Sequence, residues 1–186
     1  LGSDIDGGAN DYSGQSVSLS SDGTIVAIGA PKHDAPGGST NSNSTEGRTR
    51  IYQYSSNTST WSQLGQDLLG GDGDQSGQSV SLSADGTILA IGAYQHDVGG
   101  GNTNEGRTRI YQYSSNGWSQ LGQDLVGDAG DQSGISVSLS ADGTIVAIGG
   151  YLHDVDNAND NSTNEGRTRI YHLSEYFKSN VRIDND

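Results

Sequence analysis

The chain states one pattern three times. Ser13-Gly14-Gln15-Ser16-Val17-Ser18-Leu19-Ser20 returns as Ser76-Gly77-Gln78-Ser79-Val80-Ser81-Leu82-Ser83 and again as Ser133-Gly134-Ile135-Ser136-Val137-Ser138-Leu139-Ser140. A second phrase, Glu-Gly-Arg-Thr-Arg-Ile-Tyr, occupies residues 46–52, 105–111 and 165–171. Repeats of this length are the mark of arrays and propellers, in which one supersecondary unit cannot bury its apolar face alone and stacks on its neighbours. The repetition divides a single array, 1–186, into unit 1 (1–63), unit 2 (64–120) and unit 3 (121–186).

The spacings separate scaffold from loop. Gly14 to His33, Gly77 to His96 and Gly134 to His153 are each 19 positions, and Trp61 to Gly77 and Trp118 to Gly134 are each 16. By contrast His33 to Glu46 is 13 positions, His96 to Glu105 is 9 and His153 to Glu165 is 12, while Glu46 to Trp61 is 15 and Glu105 to Trp118 is 13. Packed strands do not tolerate insertions and loops do. Two loops per unit therefore absorb all the variation.

Within the rigid parts the period is two. Val17 and Leu19 alternate with Ser16, Ser18 and Ser20, as expected of a half-buried strand. An Asp-Gly turn follows at Asp22-Gly23, Asp85-Gly86 and Asp142-Gly143, a hairpin signal because Gly accepts positive φ. The next run, residues 24–30, is apolar on both faces and suits a strand covered on both sides. Residues 48–54 are rich in β-formers, and a fourth strand begins at Trp61 and ends near Leu68. With Gly at 29 of 186 positions and no sustained helical period, the expected fold is all-β: β-propeller-type blades, three repeats of four antiparallel strands.

The order Ser-Gly-Gln-Ser-Val-Ser-Leu-Ser, then residues 22–31 (Asp-Gly-Thr-Ile-Val-Ala-Ile-Gly-Ala-Pro), then Gly-Arg-Thr-Arg-Ile-Tyr resembles the FG-GAP repeat of integrin-α-type propellers and some propeller lectins. Gly29-Ala30-Pro31 matches the "GAP" element; Gly92-Ala93-Tyr94 and Gly149-Gly150-Tyr151 match it loosely, and Ser13-Gly14 stands for "FG". Many such blades carry an Asp-x-Asp-x-Asp-Gly calcium loop between their first two strands. Here only a tight Ser-x-Asp-Gly turn stands there, so that calcium site does not transfer.

The pattern opens mid-unit: Leu1-Gly2-Ser3-Asp4-Ile5 aligns with Leu64-Gly65-Gln66-Asp67-Leu68, the end of a fourth strand. Unit 3 loses its tryptophan, and residues 176–183 are expected to supply a divergent last strand. Three blades leave open sheet faces and edges. The expectation is a segment of a larger propeller, or copies that associate into a homo-oligomer, closed ring or filament.

Nine basic against 23 acidic residues leave a net charge of −14, which excludes a phosphate-binding surface of the nucleic-acid kind. Six of the arginines pair up on the Arg-Thr-Arg strands, two per strand on one face. They are expected to bond loop carboxylates or carbonyls of the next blade. There is no cysteine, and no apolar run approaches the ~20 residues of a membrane span. Sequons at Asn43, Asn57 and Asn161 fall in the variable loops, which points to a secreted or cell-surface glycoprotein.

His-Asp recurs at His33-Asp34, His96-Asp97 and His153-Asp154. It reads either as a repeated ligand site, with Tyr94 and Tyr151 beside it, or as a hydrogen-bonded corner. The alternation of connections puts the histidine-side loops on one face with the blade linkers, leaving short uniform turns opposite. That face is acidic, and Asp72, Asp74, Asp128, Asp131, Asp154 and Asp156 are candidate calcium ligands, with a solvated acidic surface as the plain alternative. No serine, histidine and aspartate set offers catalytic geometry, and a thrice-repeated motif is unlike a single asymmetric active site. The expected function is a non-catalytic extracellular scaffold for self-assembly, adhesion or protein interaction. The alternatives are a lectin with repeated glycan sites and, least supported, a polysaccharide-acting enzyme.

Overall fold

A computed structural model of the chain describes residues 1–34, 45–99, 101, 103–154 and 164–173. The first sheet contains β1 (Ser16–Leu19), β2 (Ile25–Ala30), β3 (Arg48–Ser55), β4 (Thr60–Gln63) and β5 (Leu68–Leu69). The second repeats it as β6 (Ser79–Leu82), β7 (Ile88–Ala93), β8 (Arg107–Ser114), β9 (Gly117–Gln120) and β10 (Leu125–Val126). The third holds β11 (Ser136–Leu139), β12 (Ile145–Gly150) and β13 (Arg167–His172). Among the described residues all strand pairs within the sheets are antiparallel and the register repeats to the residue, Val17 facing Ile28 as Val80 faces Ile91 and Val137 faces Ile148. The chain is thus all-β, built of propeller-type blades.

The expected fourth strand is broken in two. On β3, Tyr52 faces Gln63 and Thr49 faces Leu68, so Arg50 and Ile51 stand opposite the four residues 64–67. The second sheet repeats this bulge, with Tyr111 facing Gln120 and Thr108 facing Leu125. A bulge of this kind bends the outer edge and ends the pairing. The divergent strand expected at residues 176–183 lies outside the described residues.

The core lies between the sheets. Ala27, Ile51 and Leu68 of the first blade pack against Val80, Leu82, Leu89, Ile91, Tyr111 and Trp118 of the second. The equivalent residues Ala90, Ile110 and Leu125 pack against Val146, Ile148 and Leu173 of the third. Each blade therefore has a face toward the preceding blade and one toward the following blade, and the inner strand shows which is which. Val80 and Leu82 are buried against the first blade, whereas Val17 and Leu19, on the same face of the first sheet, are exposed.

The serines of these inner strands do not face solvent at the junctions, as simple alternation suggests; they face the next blade. Ser16 Oγ donates to Gly77 O at 2.8 Å and Ser79 Oγ to Gly134 O at 2.8 Å. Ser18 Oγ accepts from Leu82 N at 3.0 Å, and Ser81 Oγ accepts from Leu139 N at 2.9 Å. Turn backbones continue the ladder, Ser21 N donating to Ala84 O and Ala84 N to Ala141 O, both at 2.8 Å. The Gly77 carbonyl lies where a Cβ on Gly29 would stand, and the Gly134 carbonyl does the same at Gly92. Gly77 itself has φ 89°, a left-handed conformation that costs Gly least.

One topological expectation needs correction. Tyr54 N donates to Thr24 O at 2.8 Å, so the β3–β4 turn sits at the same end as the short β1–β2 turn. Its tip, residues 56–59, is exposed and carries Asn57. The variable, sequon-bearing loops are therefore not confined to one face: Asn57 is at the opposite end from the histidine-side loops that contain Asn43 and Asn161, both of which lie outside the described residues.

The junction makes a direct prediction. Gly92→Ala drives a methyl into the Gly134 backbone and is expected to cost about 1–3 kcal/mol or more. Gly149→Ala meets chiefly the movable Ser136 hydroxyl and is expected to cost less. Urea unfolding of the two variants checks the order.

Candidate functional site

The fixed spacing before each second strand brings a linker aspartate under each histidine. His33 Nδ1 lies 3.1 Å from Asp11 Oδ2, His96 Nδ1 lies 2.8 Å from Asp74 Oδ1, and His153 Nδ1 lies 2.8 Å from Asp131 Oδ1. A carboxylate only accepts, so Nδ1 carries the proton. The same carboxylates take an arginine from the third strand. Arg48 Nη2 donates to Asp11 Oδ2 at 2.8 Å, Arg107 pairs with Asp74, and Arg167 pairs with Asp131. Arg48 and Arg107 also reach an outer-strand carboxylate, Asp67 at 3.3 Å and Asp124 at 2.8 Å. Each cluster ties linker, second strand and third strand together, and in two blades the outer strand as well.

The sequence expectations sort accordingly. The histidines are paired, but with Asp11, Asp74 and Asp131 rather than with the aspartates that follow them. Asp97 Oδ1 accepts from Asn104 N at 2.6 Å and Asp154 Oδ1 from Asn164 N at 2.8 Å, closing the bases of their loops; Asp34 lines the first-blade cleft described below. The arginines do bond carboxylates and carbonyls, but their reach runs backward. Arg50 donates to Asp6 O, Arg109 to Leu69 O and Arg169 to Val126 O, on the segment leaving the preceding blade. Asp11, Asp67 and Asp124 escaped the sequence reading. A detectable signal existed, since each linker aspartate precedes its histidine by 22 positions in every unit.

Among the candidate metal ligands, Asp128, Asp131 and His153 offer ligand atoms within 4.8 Å of one another. Arginines already hold that place: Arg167 Nη2 donates to Asp128 Oδ2 at 2.6 Å and also pairs with Asp131, and Arg169 Nη2 donates to Asp128 Oδ2 at 2.7 Å. The Arg167 hydrogen bond, supported by the Arg169 and Arg167 charges, holds the Asp128 carboxyl below its ordinary range. A cation there has two guanidinium charges to displace. Asp74 is buried in its own cluster, Asp72 is exposed, and Asp156 lies outside the described residues.

A cleft of about 380 Å³ opens between the first two blades, lined by Lys32, Gly73, Gln75, Tyr94, Gln95, Asp97 and Asn104. Tyr94 Oη donates to Gln75 Oε1 at 3.1 Å, and the Gln75 amide donates to Gln95 Oε1. Burial pushes the Tyr94 hydroxyl above its ordinary pKa, and Tyr151 adds to the effect. A matching first-blade cleft is lined by Tyr12, Lys32, Asp11 and Asp34 among others. Tyr151 is exposed on the third blade.

The Ser-x-Asp-Gly turns use their carboxylates internally. Asp142 Oδ1 accepts from Ser140 Oγ at 2.6 Å, Thr144 N at 3.1 Å and Thr144 Oγ1 at 2.9 Å, which lowers its pKa to about 2. Asp22 and Asp85 are lowered by the equivalent bonds.

Residues 3–45, within the first repeat, match the FG-GAP repeat. No curated protein matches the sequence. Among solved structures, the chain is similar to a Pseudomonas aeruginosa periplasmic gluconolactonase, PpgL, at 17% identity and a TM-score of 0.44, over 73% of this chain and 36% of that one. It is also similar to Kuenenia stuttgartiensis hydrazine synthase at 15% identity and a TM-score of 0.45, over 84% of this chain and 44% of that one. The chain thus spans less than half the length of either.

Two outcomes are expected from these clusters. Asp74→Ala leaves the Arg107 guanidinium, whose side chain is 7% exposed, with Asp124 alone and removes the partner of His96 Nδ1, and should cost about 1–3 kcal/mol, whereas Asp72→Ala should stay within about 0.5 kcal/mol; thermal or urea unfolding reads the contrast. For Asp142, the folded pKa of about 2 lies below the unfolded value near 4. Its stabilising effect is then complete above pH ~4 and lost as pH falls through about 2. A carbon-detected titration should give that midpoint, and Ser140→Ala should raise it.

Proposed function

We propose that the chain is a non-catalytic extracellular repeat scaffold that acts through self-assembly, adhesion or protein contact. The observation that carries this reading is the use made of the reactive-looking groups: His33, His96 and His153, and the first arginine of each third strand, Arg48, Arg107 and Arg167, are joined to the buried linker carboxylates Asp11, Asp74 and Asp131 in the same arrangement in all three blades. Such clusters hold loops and strands in place. What differs between blades is what lies outside the clusters, namely loop length and the two end faces of the stack. The FG-GAP repeat at residues 3–45 and the exposed sequon at Asn57 support an extracellular setting. Among the described residues no helix is long and apolar enough to cross a membrane.

A second reading rests on the cleft at Tyr94, whose phenol, amides and Asp97 carboxylate are of the kind that stack on and hydrogen-bond to sugars. On that reading the chain is a lectin with a site between blades.

Sedimentation velocity over a range of concentrations tests the scaffold reading, which expects association beyond the 19.3 kDa monomer. A strictly monomeric chain that captures no protein partner would sink it. For the lectin reading, a glycan array run with and without calcium should give hits that Tyr94→Ala weakens about tenfold, corresponding to ~1.4 kcal/mol; an array blank under both conditions removes it.

A further inference from the structure

The described arginines are all assigned. Arg48, Arg107, Arg109, Arg167 and Arg169 each pair with a carboxylate, and Arg50 donates to the Asp6 carbonyl. Among the described lysine and arginine side chains, Lys32 alone has neither an ion pair nor a hydrogen bond to a described residue. The stretch after it, residues 35–44, contains no acidic residue, so neighbouring sequence supplies no counter-charge. Lys32 is nevertheless half-buried. In a chain with 23 acidic residues against nine basic ones, an ammonium held there without a carboxylate marks a place for an anion from outside.

Lys32 lines the cleft of about 380 Å³ at the junction of the first two blades, a volume in the range of about 300–1,000 Å³ usual for small-ligand sites. Lys32 follows β2 of the first blade, while Gln75 from the linker and Tyr94, Gln95 and Asp97 from the corner after β7 come from the second. Gln75 is 4% exposed and takes φ 53°, a left-handed conformation that glycine adopts at less cost. Its amide bridges the cleft wall, accepting from Tyr94 Oη at 3.1 Å and donating to Gln95 Oε1. That fixes the Gln95 side chain with its own N–H donors unpartnered among the described residues. Asp97 spends Oδ1 on Asn104 N at 2.6 Å, and Oδ2 has no partner among the described residues. The wall therefore presents amide donors, a carboxylate acceptor and a half-buried phenol ring around one ammonium.

This set selects its ligand by chemistry. An apolar molecule satisfies none of the polar groups. The ammonium asks for an anionic oxygen, the Asp97 oxygen for a hydroxyl donor, the Gln95 amide for a hydroxyl acceptor and the Tyr94 ring for a flat C–H face. A sugar acid carries all four. A densely charged chain is opposed by the net charge of −14, so a single carboxylate on an otherwise neutral saccharide fits best. The position just before the corner histidine is Lys32 in the first unit, Gln95 in the second and Leu152 in the third, which makes the charge particular to this junction. We propose that the cleft between the first two blades binds a terminal uronic acid of an otherwise neutral oligosaccharide, its carboxylate on Lys32, its hydroxyls on Gln95 and Asp97, and its ring against Tyr94. This rests on the lectin reading of the same cleft and specifies the ligand class.

The test compares oligosaccharides ending in a uronic acid with the same oligosaccharides after reduction of that carboxylate to the alcohol. Wild-type chain should bind the acid forms about tenfold or more tightly, the scale of one charge-assisted hydrogen bond. Lys32→Gln should bring the two forms to parity and Lys32→Arg should keep the preference, each with the circular dichroism spectrum of wild type. On the wild-type chain, the Gln95 side-chain amide should shift in a nitrogen–proton correlation spectrum as the acid form is added. An array with no saccharide bound removes the lectin reading and this proposal together. Equal binding of the acid and reduced forms overturns the uronate assignment and leaves the lectin reading standing. A preference that survives Lys32→Gln, or a Gln95 amide that does not move, overturns the placement of the site. Displacement of the acid form by an equal concentration of an acidic peptide or a sulfated chain overturns the ligand class.

Discussion

The contact between one blade's glycine and the next blade's carbonyl sets the geometry on which the rest of the stack depends. Gly29 and Gly92 let the Gly77 and Gly134 carbonyls lie directly on the second strands. That close approach brings Ser16 and Ser79 within hydrogen-bonding distance of the same carbonyls. With the sheets held this near, Ala27 and Ala90 are the right size beneath them, and both are fully buried. A larger residue at any of these points would separate the sheets and open the apolar layer that Ile51, Leu89 and Ile110 fill. The small residues are thus part of the packing, although they contribute little area themselves.

The ion clusters do a different task. Burying an arginine beside an aspartate stabilises a fold only modestly, because desolvation offsets much of the attraction. What the clusters supply is position. Asp74 receives Arg107 from the third strand and His96 from the end of the second, so the linker entering the blade has one place to lie. The loop between His96 and Glu105 can then change length without disturbing the sheet. This explains how the histidine-side loops vary by several residues while Gly106 N still donates to His96 O at 3.0 Å, as Gly47 N does to His33 O and Gly166 N to His153 O.

The fold was legible in the sequence because repetition removes ambiguity: a strand seen three times at constant spacing is hardly mistaken for a loop. Val17, Ile25 and Ile51 were placed on strands by pattern alone, and the Asp22-Gly23 turn by its chemistry. Alternation could not tell a serine facing water from one facing a polar neighbour, so Ser16 and Ser18 read as solvent-exposed although they bind the next blade. The site was less legible. His33 and Asp34 are adjacent in sequence and invite pairing, yet in a β-corner neighbouring side chains diverge. The true partner, Asp11, is brought in by the linker, and only the constant interval across three units encodes that. The outer-strand bulge was missed because Gly65 and Gln66 interrupt no obvious pattern.

A stack of identical junctions has a direction. Each blade presents unlike faces, apolar Val-Leu toward its predecessor and Ser-Thr-Ile toward its successor, so the blades cannot pair face to like face. The burial along the inner strand registers this: residues 17 and 19 are exposed while 16 and 18 are partly covered in the first blade, and the order inverts at 136–139 in the third. The central blade, covered on both sides, buries Val80 and Leu82 and partly covers Ser79 and Ser81. A polar stack admits only heterologous contacts between its ends, which close into a ring or propagate as a fibre. Which of the two follows is decided by the rotation per blade, a property set by the glycine contact at each junction rather than by the loops. Loop sequences can therefore diversify binding while assembly stays under the control of the residues that never vary in spacing.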